Sequence, residues 1–537
     1  MMHVMCIVHI NAARTTPPRS ARASSRRFPK PVELPHMSEH ASPPPVPTAA
    51  ATRNPNLIIA VLAFAGIAVS VMASLVIPIL VQLPALLHTT ETNASWVVTS
   101  TLLAAAVATP VMGRLGDMYG KRRMILISLL LLVLGSLVSA FTAALVPMLI
   151  GRTLQGIGSG LIPLAISLLR DTVPRERLGS AVALISSSLG IGGALGLPAA
   201  ALVAQHMGWH TLFSGAAILG ALCFVLILAF VPESPTRSGG TFDYVGAVGL
   251  STGLVCLLVA LSEGGTWGWG DGKTLGLFAA SIALLLGWGW YELRISQPLV
   301  DLRTTARRQV LFTNLAAVAI GFAMYGTSLL LPQLLQLPKA TGYGLGQSMV
   351  AAGMCMAPGG FVMMLVSPYG AKLSKARGPK TSLIVGAAIV GLGYVALLGL
   401  THSVWEIILG ACIVTAGIGF AYAAMPALIM SAVPVTETAA ANALNTLMRS
   451  IGVSIASAAI AVVLAHSEKP FFGTEMPTMG GFRGGFLIAL AGCVASVVLA
   501  AFIPGVGKAA RAGRRRQPVP EEPTQDAPSP QPAEQLG

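Results

Sequence analysis

Residues 113–123 read Gly113-Arg-Leu-Gly-Asp117-Met-Tyr-Gly120-Lys-Arg-Arg123. This charged stretch lies between two apolar runs, near 94–113 and 124–145. Each run is close to the roughly 20 residues that carry a helix across a bilayer. The stretch is therefore expected to be a link that turns the chain at one membrane face. Gly113, Gly116 and Gly120 permit a tight turn and close helix approach. Asp117 can accept hydrogen bonds from a neighbouring helix N-terminus or pair with an Arg. Lys121, Arg122 and Arg123 are expected at an anionic leaflet surface, with Arg114 on the same face.

Working outward, apolar runs recur along the chain. Spans are expected near 57–80, 94–113, 124–145, 147–170, 179–204, 209–231, 244–262 and 274–290. Six more lie near 309–331, 347–368, 381–400, 404–428, 441–464 and 482–503, which makes fourteen. Long uninterrupted runs with weak alternation argue against a transmembrane β-barrel. Composition agrees. Of 537 residues, 54% are hydrophobic and 10% charged, against about 25% charged in soluble domains. Mean hydropathy is +0.74.

The net charge is +14, which by itself admits a nucleic-acid partner. Placement removes that reading. Taking the N-terminus as cytoplasmic, 16 Lys and Arg fall in inside loops and 4, Lys273, Lys339, Lys469 and Arg483, in outside loops. The tails add 7 and 5 on the inside. This positive-inside bias predicts a multi-pass plasma-membrane protein with both termini cytoplasmic and the bilayer, not nucleic acid, as its surroundings. Arg152 and Arg449 fall inside spans.

Residues 1–56 and 504–537 read as disordered cytoplasmic tails, rich in Pro and without apolar periodicity. No secretory signal is expected in MMHVMCIVHI, and either Met1 or Met37 serves as first residue. The six cysteines show no disulfide framework. The His spacing suggests no metal site, and no cofactor or ATP site is expected.

A faint internal repeat is present. Pro110, Arg114, Leu115 and Gly120 recur as Pro368, Lys372, Leu373 and Gly378, an offset of 258. Gly151, Gly158 and Gly160 recur as Gly410, Gly417 and Gly419, an offset of 259. Val173-Pro174, Ala183-Leu184 and Gly192 recur as Val433-Pro434, Ala443-Leu444 and Gly452, an offset of 260. The repeat joins spans 2, 4 and 5 to spans 10, 12 and 13. An all-α membrane fold of 6+2+6 helices follows: a half at 57–231, a linker with two inserted helices at 232–308, and a parallel half at 309–503. Parallel halves related by an axis along the membrane normal are one transporter plan.

On these residues the chain resembles the 14-helix drug:proton antiporter branch of the major facilitator superfamily over about 57–503. Gly113–Arg123 matches the pattern G-x-L-a-D-r-x-G-r-k, and Arg152-Thr-Leu-Gln155-Gly156-Ile-Gly158 matches R-x-x-Q-G-x-G. Phe242-Asp243-Tyr-Val-Gly246, Leu261-Ser-Glu-Gly264 and Pro298-Leu-Val-Asp301-Leu302 resemble the inserted pair and its exit. The resemblance implies export of hydrophobic or amphiphilic small molecules by proton antiport with alternating access, and a monomer is expected. It implies a conformational latch at Gly113, Arg114, Asp117, Gly120, Lys121 and Arg122. It also implies a coupling role for Arg152 with Gln155. The repeat places Lys375 opposite Asp117 and Ala411 opposite Arg152.

Asn445 and Arg449 stand four apart and share a helix face, which makes them cavity candidates or a seam between halves. Gly156, Gly158, Gly160, Gly192, Gly196 and Pro198 are expected to pack helices closely. The span-5 stretch Gly192-Gly-Ala-Leu-Gly196-Leu-Pro198-Ala-Ala departs from the antiporter pattern G-x-x-x-G-P-x-x-G-G, with Pro shifted by one and Ala for the Gly pair. No carboxylate stands in span 1 or clearly mid-membrane elsewhere. Two arginines without such acids suit a neutral or anionic amphiphile. An uptake symporter or facilitator on the same scaffold, or a non-transporting receptor or scaffold, remains an alternative.

Overall fold

Among the described residues fourteen helices are long and apolar enough to cross a membrane, one for each expected span. The computed structural model describes residues 54–76, 79, 82–471 and 474–504. The tail assignments at 1–53 and 505–537, Cys6 and the choice between Met1 and Met37 lie outside the described residues. The spanning helices are α1 Pro55–Ser74, α2 Glu91–Tyr119, α3 Lys121–Ala140, α4 Leu145–Thr172, α5 Arg175–Met207, α6 Trp209–Phe230 and α7 Tyr244–Trp267. Then come α8 Gly272–Glu292, α9 Arg308–Gln336, α10 Met349–Arg377, α11 Pro379–Leu397, α12 Val404–Met430, α13 Thr438–Ala465 and α14 Met479–Ala501. A small hairpin, β1 Glu468–Phe471 with β2 Thr474–Pro477, joins α13 to α14. Nothing in the sequence pattern announced it.

Several helices outrun their apolar cores because their ends carry caps and charges that still favour helix. Residues 113–119, expected as part of a link, belong to α2. The turn is confined to Gly120, which separates α2 from α3 at φ 117°. That backbone conformation is strained for any residue with a Cβ. Gly378 does the same between α10 and α11 at φ 90°, so the repeat extends to the turn.

Small residues bring matched helix pairs together in the two halves. A Cβ on Gly158 would meet Ser128 O of α3 at 2.6 Å, and one on Gly417 would meet Gly386 O of α11 at 2.5 Å. Gly160 faces Met112 of α2, and Gly419 faces Met363 of α10. Gly192 abuts Ser70 of α1, and Gly452 abuts Val318 of α9. A side chain at these points would push the pairs apart, so tight packing there requires glycine. Each half encloses its own apolar core, drawn almost wholly from α1–α6 and from α9–α14.

Two seams join the halves: α5 against α10, and α2 against α13. Under the repeat these are equivalent positions, as an axis along the membrane normal demands. The inserted helices α7 and α8 pair with each other, and α7 lies over the α2–α13 seam. Leu250, Leu254 and Leu258 of α7 pack there with Ala106 of α2 and with Leu444 and Leu447 of α13. The five described cysteines are free thiols.

Candidate functional site

Helix α5 presents a different small residue to each neighbour. Gly192 and Gly196 sit against Ser70 and Ser74 of α1. Gly190 and Ala194 sit against Met363 and Gly360 of α10. Gly193 faces open space. That space is a cavity of about 530 Å³ between the halves. Pro198 lies inside α5 without ending it, and packs near Gly353 of α10.

The cavity wall is largely apolar. It includes Leu189, Gly193 and Leu197 of α5, and Met324, Met356 and Met363 of α9 and α10. It also includes Thr415, Ile418 and Tyr422 of α12, and Arg449 and Ser450 of α13. Methionines adapt their shape to varied apolar surfaces. Arg449 is the one charged side chain of this lining among the described residues. Its guanidinium stands over the Tyr422 ring, 4.5 Å from the ring centre. The Tyr422 hydroxyl contacts Met324 Sδ at 2.9 Å.

Asn445 is placed elsewhere. It is buried, and its Nδ2 donates to Asn314 Oδ1 of α9 at 2.9 Å. It is therefore a strut inside the second half, neither in the cavity wall nor a bond between halves.

Arg152 and Gln155 are likewise absent from the cavity lining. Arg152 is 3% exposed, so its side chain does not snorkel to an interface. Its Nε donates to Val97 O of α2 at 3.1 Å and its Nη1 to Gln155 Oε1 at 2.6 Å. Gln155 Nε2 in turn donates to Ser136 Oγ of α3 at 2.8 Å. The chain of bonds ties α4 to α2 and α3. No ion pair reaches Arg152 among the described residues. Gly156 assists by bringing α4 onto α2, where a Cβ would meet Thr101 O at 2.4 Å.

At the face carrying the basic links, the α2–α13 seam is closed. Asp117 Oδ1 and Oδ2 accept from the backbone N–H groups of Ala439 and Ala440, at 3.1 and 2.8 Å. These are free amides of the first turn of α13, which has no side-chain cap of its own. A carboxylate there gains both charge-assisted bonds and the helix dipole. Gly113 and Gly116 permit the approach: a Cβ on Gly113 would meet Ala443 Cβ at 2.6 Å, and one on Gly116 would meet Leu164 at 2.3 Å.

Lys121 is not at the membrane surface. It is fully buried, 2.5 Å from Asp171 Oδ2 and 3.7 Å from Asp117 Oδ1, and it donates to Thr438 Oγ1 at 3.4 Å. Burial of this ammonium is tolerable only because two carboxylates surround it. Arg122 donates to Leu228 O of α6 at 2.5 Å, while Arg123 is exposed. Arg114 borders a small crevice with Asp301 and Glu437. The equivalent of Asp117 in the second half, Lys375, is exposed, so this capped contact occurs at one seam.

Sequence reasoning missed Glu233. Its two oxygens accept from the amides of Arg122 and Arg123 at 3.0 and 3.1 Å. It thereby supplies the N-cap that Gly120 cannot. Ser234 adds a bond to Asp171 Oδ2 at 2.5 Å. The available signal was Pro232-Glu-Ser-Pro235 after span 6, an isolated acid on a basic face.

Residues 62–457 match the profile of the Major Facilitator Superfamily. Multidrug resistance protein 3 of Bacillus subtilis is 26% identical over 67% of this chain and 70% of its own length. The tetracenomycin C resistance and export protein of Streptomyces glaucescens is 27% identical over 72% and 71%. The multidrug resistance protein B homolog of Mycobacterium tuberculosis is 28% identical over 71% of each. The crystal structure of the human organic anion transporter MFSD10 superposes with a TM-score of 0.59 at 14% identity, covering 83% of this chain and 99% of that one. The last likeness concerns the fold alone. With two matched six-helix halves around an inserted pair among the described residues, and a profile match over residues 62–457, the chain belongs to the Major Facilitator Superfamily of membrane transporters.

Proposed function

We propose that the protein is a secondary active exporter of hydrophobic or amphiphilic small molecules, working as a monomer in the plasma membrane with both termini cytoplasmic. The carrying observation is the cavity between the halves, apolar and lined by methionines around one arginine. At about 530 Å³ it suits a drug-sized molecule. Its wall reaches Gln336 and Met349 at the face opposite the basic links, while Asp117 closes the seam on the basic face. That combination supports an outward-facing state in an alternating-access cycle.

Arg449, with no acid in the lining, favours neutral or anionic amphiphiles over cations. Arg152 and Gln155 act through the first half, by holding α4 against α2 and α3, rather than by touching substrate. Relatives named for multidrug resistance and export support the direction. Proton entry drives the cycle in this reading. Reconstitution in proteoliposomes with an imposed pH gradient, using anionic, neutral and cationic dyes, tests it. Accumulation of anionic or neutral dyes against the proton gradient, lost in Arg449→Ala, is the expected result. Movement of cations alone, indifferent to Arg449→Ala, overturns it.

A further inference from the structure

A second space, about 550 Å³, lies on the other side of α13. It is as large as the central cavity and shares two wall residues with it, Ser450 and Val453. Helix α13 is therefore a partition one helix thick. The remaining walls are α2, with Thr99 and Leu103, the inserted helix α7, with Leu258 and Leu261, Trp269 just beyond the end of α7, and Tyr325 of α9. Helix α7 deepens the groove over the α2–α13 seam into a part-enclosed chamber, which stays open on one side where Leu102, Ser262 and Ala461 are exposed. Its extent runs from Ser450 in mid-helix to His466 at the end of α13 away from the basic links.

The polar atoms of the chamber define what it would bind. Ser450 and Ser454 donate to carbonyls of their own helix, Thr446 O and Ser450 O, each at 3.2 Å. Ser457 Oγ donates to Tyr325 OH at 3.1 Å. The serine protons are thus committed, and their lone pairs remain as acceptors. The Tyr325 hydroxyl, which accepts from Ser457, keeps its own proton to give. Among the described residues the lining holds no Asp, Glu, Lys or Arg, and its one histidine, His466, stands at the exposed end with Nδ1 2.8 Å from Val462 O, so a charged ligand beside Ser454 and Ser457 would enter without compensation. An apolar body with one hydroxyl or amide N–H fits: its proton meets a serine lone pair and its oxygen meets Tyr325.

We propose that the chamber between α2, α7 and α13 is a second ligand site, which takes a neutral amphiphile bearing a hydroxyl or amide N–H. The inserted helix pair supplies its outer wall, and Ser450 and Val453 stand between it and the central cavity. The site is independent of the direction and coupling of transport, since it is read by binding alone.

Photolabelling of the full-length protein in nanodiscs with a diazirine derivative of octanol tests the site, with adducts mapped by peptide mass spectrometry. Adducts are expected on Leu258, Leu261 and Ala458. Excess octanol should remove them, and Ser454→Trp should lower them by about tenfold, a change of roughly 1.4 kcal/mol in binding. Adducts on Met356 in the central cavity should persist in that variant and serve as the control for folding. Ala461→Trp, which fills the same chamber from about two turns further along α13, is the second variant. Chamber adducts that are missing in the wild type, or unchanged in both Trp variants, overturn the proposal. So do adducts displaced by added phospholipid but not by octanol, because the occupant would then be resident lipid.

Discussion

The guanidinium of Arg449 lies 4.5 Å from the ring centre of Tyr422, on the wall of a cavity whose described lining holds no acid. The ring face holds the cation in place without neutralising it, an interaction of about 1–2 kcal/mol when partly desolvated. Arg449→Ala is expected to lower transport of an anionic dye by about tenfold, the equivalent of 1.4 kcal/mol, with stability falling by no more than about 1–2 kcal/mol, the strength of the ring contact. Tyr422→Leu keeps the charge and should cost less. Rates in proteoliposomes with melting curves on the same preparations check both.

Asp117 holds a helix of the opposite half. Asp117→Asn retains an acceptor but loses the charge that strengthens both bonds and balances Lys121. Hydrogen bonds to charged groups contribute about 1.5–3 kcal/mol, enough to shift a two-state equilibrium by about tenfold or more. The expected outcome is loss of transport at wild-type membrane abundance, with faster thiol labelling of a cysteine placed at Ala440. Unchanged labelling would show that the seam does not open through this contact.

Gly113 and Gly179 form a matched pair of tests. A Cβ on Gly113 would stand 2.6 Å from Ala443 Cβ, whereas one on Gly179 would find nothing within 4 Å. Gly113→Ala should destabilise by about 1–3 kcal/mol through overpacking. Gly179→Ala, in helix α5, should be neutral or stabilise by up to about 1 kcal/mol. Denaturation of the two purified variants side by side decides the point.

Arg152 should behave as a strut. Arg152→Ala removes bonds to Val97 O and Gln155 and strands Gln155 between α4 and α3. Stability is expected to fall by about 2–3 kcal/mol, with reduced abundance, in contrast to Arg449→Ala. Gln155→Met should reproduce part of that loss. A variant of full stability that had lost only its pH dependence would instead assign Arg152 to proton coupling by a direct route.

Glu233 caps a helix that follows a glycine. Glu233→Ala leaves the amides of Arg122 and Arg123 without their acceptor, at a cost of about 0.5–2 kcal/mol. Glu233→Gln should recover part of it. Hydrogen exchange at the start of α3 reads the effect locally.

The membrane helices were legible because hydrocarbon thickness imposes a length and backbone satisfaction imposes the helix. The repeat was legible because close packing restricts Gly158 and Gly417 to glycine wherever the copies sit. The acceptor role of Asp117 followed from its chemistry, but its partners, Ala439 and Ala440, lie more than 300 residues away and carry no side-chain signal. Arg152 and Arg449 were indistinguishable along the chain, since each is one arginine in an apolar run. Helix rotation separates them, pointing Arg152 into the first half and Arg449 into the space between halves.

The sequence by itself determined the number of membrane helices, that the basic links share one face and that two similar halves flank an inserted pair. These depend on local composition and spacing. Only the tertiary structure decided that Lys121 is buried between two aspartates, that Glu233 caps α3 and that α7 roofs a chamber beside α13. Each of these rests on distance and direction between segments remote in the chain, which packing sets and hydropathy does not encode.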